Sequence, residues 1–279
     1  MKIYIKYFIC VLVIFVLLIL FTPFTNYNEP NYPSKTATMF FESEVLPLNQ
    51  DTTSIPIPET NFKESEIKTA NKIYLTFDDG PSTNITPKIL DLLAKYDIKA
   101  TFFILNYNNK KKEIIKRIIE EGHTLGIHGY SHDYESIYSS PDKCLENFIL
   151  LKNKIYNDFC IDCNIVRFPG GSSNTVSKKY CTGVISNSLS LLAEHTLVYF
   201  DWNISSGDAG LTTDPNEVFN YVVNFLKPKR NNMVLMHDSS SKEHTYLALE
   251  NIILYAFKNN YCFEKITTDT IPVHHKIYN

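Results

Sequence analysis

Residues 71–81 read NKIYLTFDDGP, Asn71 to Pro81, an apolar strand that runs into two adjacent aspartates and a Gly-Pro turn. Ile73, Leu75 and Phe77 alternate with Tyr74 and Thr76 in a β-branched and aromatic run, the composition of a pleated, half-buried element. Gly80 and Pro81 stop regular structure at once, so Asp78 and Asp79 fall at the carboxyl end of the strand. Neighbouring side chains on a strand point to opposite faces. Where the chain turns that constraint lapses, and two adjacent carboxylates can serve one site in different roles. Asp-Gly-Pro is also ordinary turn chemistry, so the rest of the chain decides between the two readings.

Outward from this stretch, strand and helix patterns alternate. Thr86-Pro87 reads as an N-cap with proline at the first helical position, followed by Ile89, Leu90, Leu93 and Tyr96 at helical spacing. Residues 100–105 (ATFFIL) form a second strand. A helix from about Lys111 carries Ile114, Ile115, Ile118 and Ile119, with Gly122 as its stop. Strands are expected at Thr124–His128, Ile165–Phe168, Leu197–Trp202 and Met233–Met236. Helices are expected after Ser140-Pro141, after Asp214-Pro215 and from His244 to Lys258. This alternation predicts an α/β domain with parallel strands and helical crossovers. An open sheet and a barrel both fit the pattern. The polar residues gather just after strands, Asp78 and Asp79, His128 and His132, Arg167, Asp208 and His237, and in a barrel all those ends open on one face. A distorted (β/α) barrel is therefore the expected fold, over residues 71–279.

Before this domain, Lys2 and Lys6 precede an unbroken apolar run from Tyr7 to Phe21. As a helix, residues 3–24 would span about 33 Å, enough to cross a bilayer. No small-x-small cleavage site follows, which favours a retained signal-anchor over residues 1–24 rather than a secreted, cleaved form. The lysines place the short side in the cytoplasm and the rest of the chain outside. Residues 25–70, scattered with Pro, Thr, Ser and Asn, read as an extended extracytoplasmic tether. With 27 basic and 30 acidic residues in 279, no basic excess points to nucleic acid, and no protein partner is evident. Outside the apolar run the cysteines are five and irregularly spaced. Cys160 and Cys163 could form a local disulfide, but no second CxxC completes a zinc site and no disulfide framework is expected.

HGYSH, His128 to His132, places two imidazoles four residues apart just past a strand. With a carboxylate from the first strand they make three ligands and leave positions open, the composition of a catalytic rather than a structural metal site. RFPGG, Arg167 to Gly171, joins a guanidinium to a tight turn, and LMH, Leu235 to His237, ends an apolar strand on a histidine.

TFDDG, HGYSH, RFPGG and LMH, in this order and spacing, closely resemble the polysaccharide deacetylases of carbohydrate esterase family 4, with their NodB homology domain, over about Lys72 to Tyr261. The resemblance implies metal-dependent removal of N-acetyl groups from amino sugars in a polymer. It implies that Asp78 is the general base and Arg167 its orienting partner, that Asp79, His128 and His132 hold one divalent metal, zinc foremost, and that His237 is the general acid with Asp208 behind it. Gly170 would supply a backbone donor to the oxyanion, and Trp202 and Leu235 would line the substrate pocket. The expected polymer is N-acetylglucosamine of peptidoglycan, which the tether faces. Another N-acetylated polysaccharide, or a wall-glycan-binding protein without turnover, are the alternatives. Three positions depart from the family: Gly129 replaces a Ser or Thr that would brace the loop, Ile127 replaces an Asn, and Ala209 follows Asp208 where a tryptophan is usual.

Overall fold

The computed structural model describes residues 71–279. The expected signal-anchor at 1–24 and tether at 25–70 lie outside the described residues, among which no helix is long and apolar enough to cross a membrane. Among the described residues there are eight strands: β1 (Asn71–Asp78), β2 (Thr101–Leu105), β3 (Thr124–Gly129), β4 (Ile165–Val166), β5 (Val198–Tyr199), β6 (Ile204–Ser205), β7 (Asn231–His237) and β8 (Tyr261–Phe263). The helices are α1 (Thr86–Lys95), α2 (Asn109–Glu120), α3 (Tyr134–Ile137), α4 (Pro141–Phe159), α5 (Val184–Glu194), α6 (Pro215–Val223) and α7 (Glu243–Lys258).

Every strand pair is parallel, in the order β5-β4-β3-β2-β1-β7-β6. β8 extends the β2 lane by pairing with the first three residues of β1. The expected barrel is therefore a half-barrel: among the described residues β5 and β6 are the ends of the path and do not pair with each other. The single strand expected at Leu197–Trp202 is in fact the two-residue β5. A separate β6 follows the Asp201-Trp202 corner, and Asp208 comes after β6.

β1 shows why the chain folds this way. Ile73, Leu75 and Phe77 are fully buried in the main core beneath the helices, with Phe77 stacked on Phe102 at 5.1 Å between ring centroids. Tyr74 points the other way, into a second cluster with Phe103, Ile165, Phe200, Met233 and Ile266. By the same alternation Thr76 and Asp78 share the Tyr74 face, so Asp78 tops the interior of the half-barrel. The tail after β8 plugs the opposite end. Ile266 donates its N–H to Thr101 Oγ1 at 2.9 Å and accepts from Thr124 Oγ1 at 2.6 Å, at the starts of β2 and β3.

Thr86 departs from its expected role. The α1 N-terminus is capped by Ser82, whose Oγ accepts from the N–H groups of Ile85 and Thr86 at 3.0 and 3.1 Å. Thr86 Oγ1 instead donates to Asp238 Oδ2 at 2.5 Å. The Cys160–Cys163 pair is not bonded, and all five described cysteines are free thiols. Cys160 caps α4 in the left-handed conformation, and Cys163 is buried with its Sγ 3.0 Å from the carbonyl of Leu125.

Candidate active site

The carboxyl ends of β1, β3 and β7 and the turn after β4 meet at one mouth. β1 and β7 run side by side with Asp78 paired to His237. At the end of β1 the backbone turns through Asp79, whose φ of 70° lies in the left-handed region that aspartate tolerates better than most residues. The two aspartates consequently do different things in one place. Gly80 is required by close approach: a Cβ there would lie 2.2 Å from both carboxylate oxygens of Asp238.

Asp78 belongs to Arg167. The guanidinium is fully buried, and its Nη1 donates to Asp78 Oδ1 at 2.9 Å and to Thr76 Oγ1 at 2.7 Å. Nε donates to the carbonyl of Phe200 at 2.9 Å and Nη2 to that of Asp201 at 3.1 Å, while the group stacks 4.1 Å over the Phe103 ring. Four fixed contacts hold the cation, and it holds one oxygen of Asp78. The other oxygen, Oδ2, lies 3.9 Å from His128 Nε2.

Asp79 belongs to the histidines. Its Oδ1 is 3.5 Å from His128 Nε2 and 3.6 Å from His132 Nε2, and the three donor atoms lie within 4.8 Å of one another. His128 Nδ1 is 2.9 Å from the carbonyl of Arg167, which can only accept, so Nδ1 donates there and Nε2 is the nitrogen turned toward Asp79. Asp79 Oδ1 is buried and has no hydrogen-bond partner. Burial alone would raise the Asp79 pKa, but the charges of His128, His237 and His132 bring it below the usual carboxylate value. Burial and the His128 charge lower the pKa of His132, favouring its neutral, ligating form. An orphaned carboxylate oxygen facing two imidazole nitrogens is the donor set of a divalent cation site. Its spacings match the roughly 3.4 Å between donors on a tetrahedral ion with bonds of about 2.1 Å.

His237 belongs to Asp208. Oδ1 of Asp208 accepts from His237 Nδ1 at 2.8 Å, and Oδ2 accepts both from the His237 backbone N–H at 2.8 Å and from Thr245 Oγ1 at 2.7 Å. Burial would lower the histidine pKa, yet the carboxylate raises it from 6.5 to about 9. Burial likewise opposes ionisation of Asp208, but the His237 charge and the hydrogen bonds from His237, Thr245 and Ser206 lower it to about 2. His237 is thus protonated at neutral pH rather than half-titrated.

The remaining expected positions are less direct. Leu235 is buried two residues before His237 on the same strand face. Trp202 is only 5 % exposed and sits beneath the RFPGG turn, where a Cβ on Gly171 would meet its ring at 2.7 Å; its ring also packs edge-on to His275. It supports that turn from below, and Ala209 lies exposed beside Asp208. Gly170 adopts a φ of 75° and faces the Tyr134 hydroxyl.

Four residues of the site escaped the sequence reading. Asn147 braces the metal loop: its Oδ1 accepts from Ser131 N–H at 2.8 Å, its Nδ2 donates to the Ser131 carbonyl at 3.2 Å, and a Cβ on Gly129 would lie 2.3 Å from that Nδ2. The brace expected at position 129 thus comes from α4 instead. Asn147 falls on the buried stripe Cys144, Phe148, Leu151 and Ile155, and a polar residue on such a stripe is a signal that could have revealed it. Asp201 accepts from Ser172 N–H at 2.8 Å and from the His275 N–H at 2.8 Å, tying the RFPGG turn to the tail. Asp238, beneath Gly80, is buried with its pKa raised to about 7 by burial. Tyr134, two residues after His132, packs edge-on to that imidazole at 5.5 Å. Burial and the Asp79 charge push its phenol up to about 12.

Residues 65–182 match the family model described as polysaccharide deacetylase. A peptidoglycan-N-acetylglucosamine deacetylase of Bacillus cereus is 30 % identical over 211 residues, spanning 75 % of this chain and 92 % of that protein. Among solved structures, the catalytic domain of a peptidoglycan N-acetylglucosamine deacetylase from Eubacterium rectale superposes with a TM-score of 0.71 at 38 % identity, covering 75 % of this chain and 94 % of that one. A Streptococcus mutans CE4 esterase gives 0.63 at 30 % identity, covering 73 % and 90 %.

Proposed function

The chain belongs to the polysaccharide deacetylase family, and on that premise we propose that it is a divalent-metal-dependent hydrolase that removes N-acetyl groups from N-acetylglucosamine of peptidoglycan. The observation that carries this reading is the division of labour at one mouth: a cation site of Asp79, His128 and His132 flanked by an arginine-held carboxylate and a carboxylate-held histidine.

A divalent ion held by Asp79, His128 and His132 would polarise an amide carbonyl and make water acidic enough to be deprotonated near neutral pH. Asp78 takes the proton of the attacking water. Arg167 fixes Oδ1, so Oδ2 is the oxygen that faces the reacting atoms. The water oxygen bonds to the amide carbon as its C=O π bond opens, and the C=O then re-forms as the C–N bond breaks, so the departing nitrogen needs a proton. His237 supplies it from Nε2, since Nδ1 is engaged by Asp208 and the imidazolium is the resting form at neutral pH. The products are acetate and a free amino sugar.

The binding-only alternative rested on the Gly129 and Ala209 departures. Asn147 restores the loop brace at the first, and both proton-transfer residues stand in place, so turnover is the reading carried forward. The domain is further proposed to act outside the cell membrane, held by the apolar run at Tyr7–Phe21; this part rests on the sequence alone.

The polymer is tested by mass spectrometry of muramidase digests of peptidoglycan treated with the metal-reconstituted protein, beside N-acetylglucosamine oligomers and an N-acetylated exopolysaccharide. Loss of acetyl from the peptidoglycan fragments supports the proposal. Deacetylation confined to the exopolysaccharide would move the substrate assignment there.

A further inference from the structure

β5 ends at Tyr199, and Arg167 is seated by the residues that come next. Its Nε and Nη2 donate to the carbonyls of Phe200 and Asp201, both beyond the last rung of the β4–β5 ladder. They lie in the corner between β5 and β6, which do not pair among the described residues.

The tail after β8 returns to this corner. Val273 packs against the interior cluster that contains Phe200, and its carbonyl accepts from the Asp201 N–H at 2.8 Å. His274 stacks flat on the Tyr199 ring, with centroids 3.9 Å apart. His275 makes three polar contacts. Its N–H donates to Asp201 Oδ2 at 2.8 Å, its Nε2 donates to the carbonyl of Trp202 at 2.6 Å, and its Nδ1 meets the Ser173 hydroxyl at 3.0 Å.

These contacts converge on Asp201, which is fully buried. Its N–H goes to the tail and its carbonyl to Arg167. Oδ1 accepts from the Ser172 N–H at 2.8 Å, and Oδ2 accepts from Ser172 Oγ at 2.5 Å as well as from His275. Asp201 belongs to no strand, so the tail and the RFPGG turn supply the restraint that a ladder would give.

We propose that residues 273–275 form a strap in which His275 is a positioning residue for the catalytic base. It fixes the Asp201-Trp202 corner, the corner fixes the carbonyls that seat Arg167, and Arg167 fixes Asp78 Oδ1. The inference rests on the deacetylase reading above and deepens it by adding a remote support for the proton-accepting carboxylate. Rate is steep in such geometry, and a misplacement of about 1 Å produced from outside the site can cost about 10²-fold. Asp79, His128 and His132 are set by the ends of β1 and β3, so the strap bears on the base and not on the cation.

The test compares the full metal-loaded chain with His275→Leu, His275→Gln and Ser173→Ala. Leucine keeps bulk against Trp202 without polar atoms, whereas glutamine again offers one donor and one acceptor. Ser173→Ala removes only the hydroxyl on Nδ1. Metal affinity, kcat and KM on N-acetylglucosamine oligomers, and amide hydrogen exchange at Asp201 and Ser172 are measured for each. For His275→Leu the expected result is kcat lowered about 30- to 100-fold, KM and metal affinity within about threefold, and exchange at both amides at least about tenfold faster. His275→Gln should return kcat and exchange to within about fivefold of the parent, and Ser173→Ala should lower kcat about three- to tenfold. Parental kcat or parental exchange in His275→Leu would overturn the proposal. So would an equal loss in His275→Gln, which would make the ring packing alone, or a loss of metal affinity, which would place the effect at the cation site. Should His275→Leu not fold, Ser173→Ala decides, and parental kcat there overturns the strap. If the parent releases no acetate from any polymer, the deacetylase reading fails separately. Exchange then decides: faster exchange in His275→Leu supports the strap, and parental exchange overturns it.

Discussion

Asp208 grips His237 at two atoms, Oδ1 on the imidazole Nδ1 and Oδ2 on the backbone N–H, each at 2.8 Å. One carboxylate therefore sets both the position of the ring and its charge. Because the His237 pKa is raised from 6.5 to about 9, the acid form is present at neutral pH, and the alkaline limb of kcat/KM is expected near pH 9. The stability linkage of His237 has the same sign. The His237 shift contributes stability that is complete below 6.5 and lost as pH rises through about 9, and the Asp208 shift, from 3.8 to about 2, contributes stability that is complete above 3.8 and lost as pH falls through about 2.

Asp208→Asn keeps the shape and removes the charge. Burial then dominates and the His237 pKa falls, so the alkaline limb should move down by more than one pH unit while kcat at pH 7 drops about 10- to 100-fold. A pH–rate profile checks this. An unmoved limb would assign it to another group.

Arg167 is among the largest fully buried side chains of the described residues, and its partner Asp78 is also buried. Arg167→Met leaves a buried carboxylate without its cation and is expected to cost about 3–5 kcal/mol of stability. The double variant Asp78→Leu, Arg167→Met should be less destabilised than Arg167→Met alone, read from urea midpoints with unchanged slopes. A double-variant loss equal to the sum of the Arg167→Met and Asp78→Leu losses would show that the two side chains are not coupled.

Asn147 reaches from α4 to the loop that carries His132. Asn147→Ala should weaken metal affinity about 10- to 100-fold, as loss of an outer support does, while kcat at saturating metal stays within about threefold. Metal titration followed by kinetics separates the two quantities. Parental affinity in Asn147→Ala would mean that the loop holds itself.

Much of the site was legible because strand ends concentrate its chemistry. TFDDG, HGYSH and LMH sit at the ends of β1, β3 and β7, where local pattern alone places them. Other parts carry no local signal. α5 starts at Gly183 without a side-chain cap and runs through serines and an asparagine, and β6 is two residues long, so neither announces itself. The half-barrel was read as a barrel because closure depends on pairing between the distant β5 and β6 edges, which no stretch of sequence encodes. Tyr134 and Asn147 escaped for a related reason. Each matters through a glycine elsewhere in the chain, Gly170 and Gly129, whose missing side chain it replaces in space.

The central claim is that Asp78 and His237 move protons at a cation site built by Asp79, His128 and His132. The most direct measurement is acetate release from purified peptidoglycan by the zinc-reconstituted protein, beside the chelated protein and the Asp78→Asn, His237→Ala and Asp79→Asn variants. Release by the parent alone is predicted, with Asp78→Asn and His237→Ala binding metal normally, Asp79→Asn failing to bind it, and all three losing at least about 10²-fold in rate. Undiminished release after chelation, or from metal-loaded His237→Ala, would contradict the account.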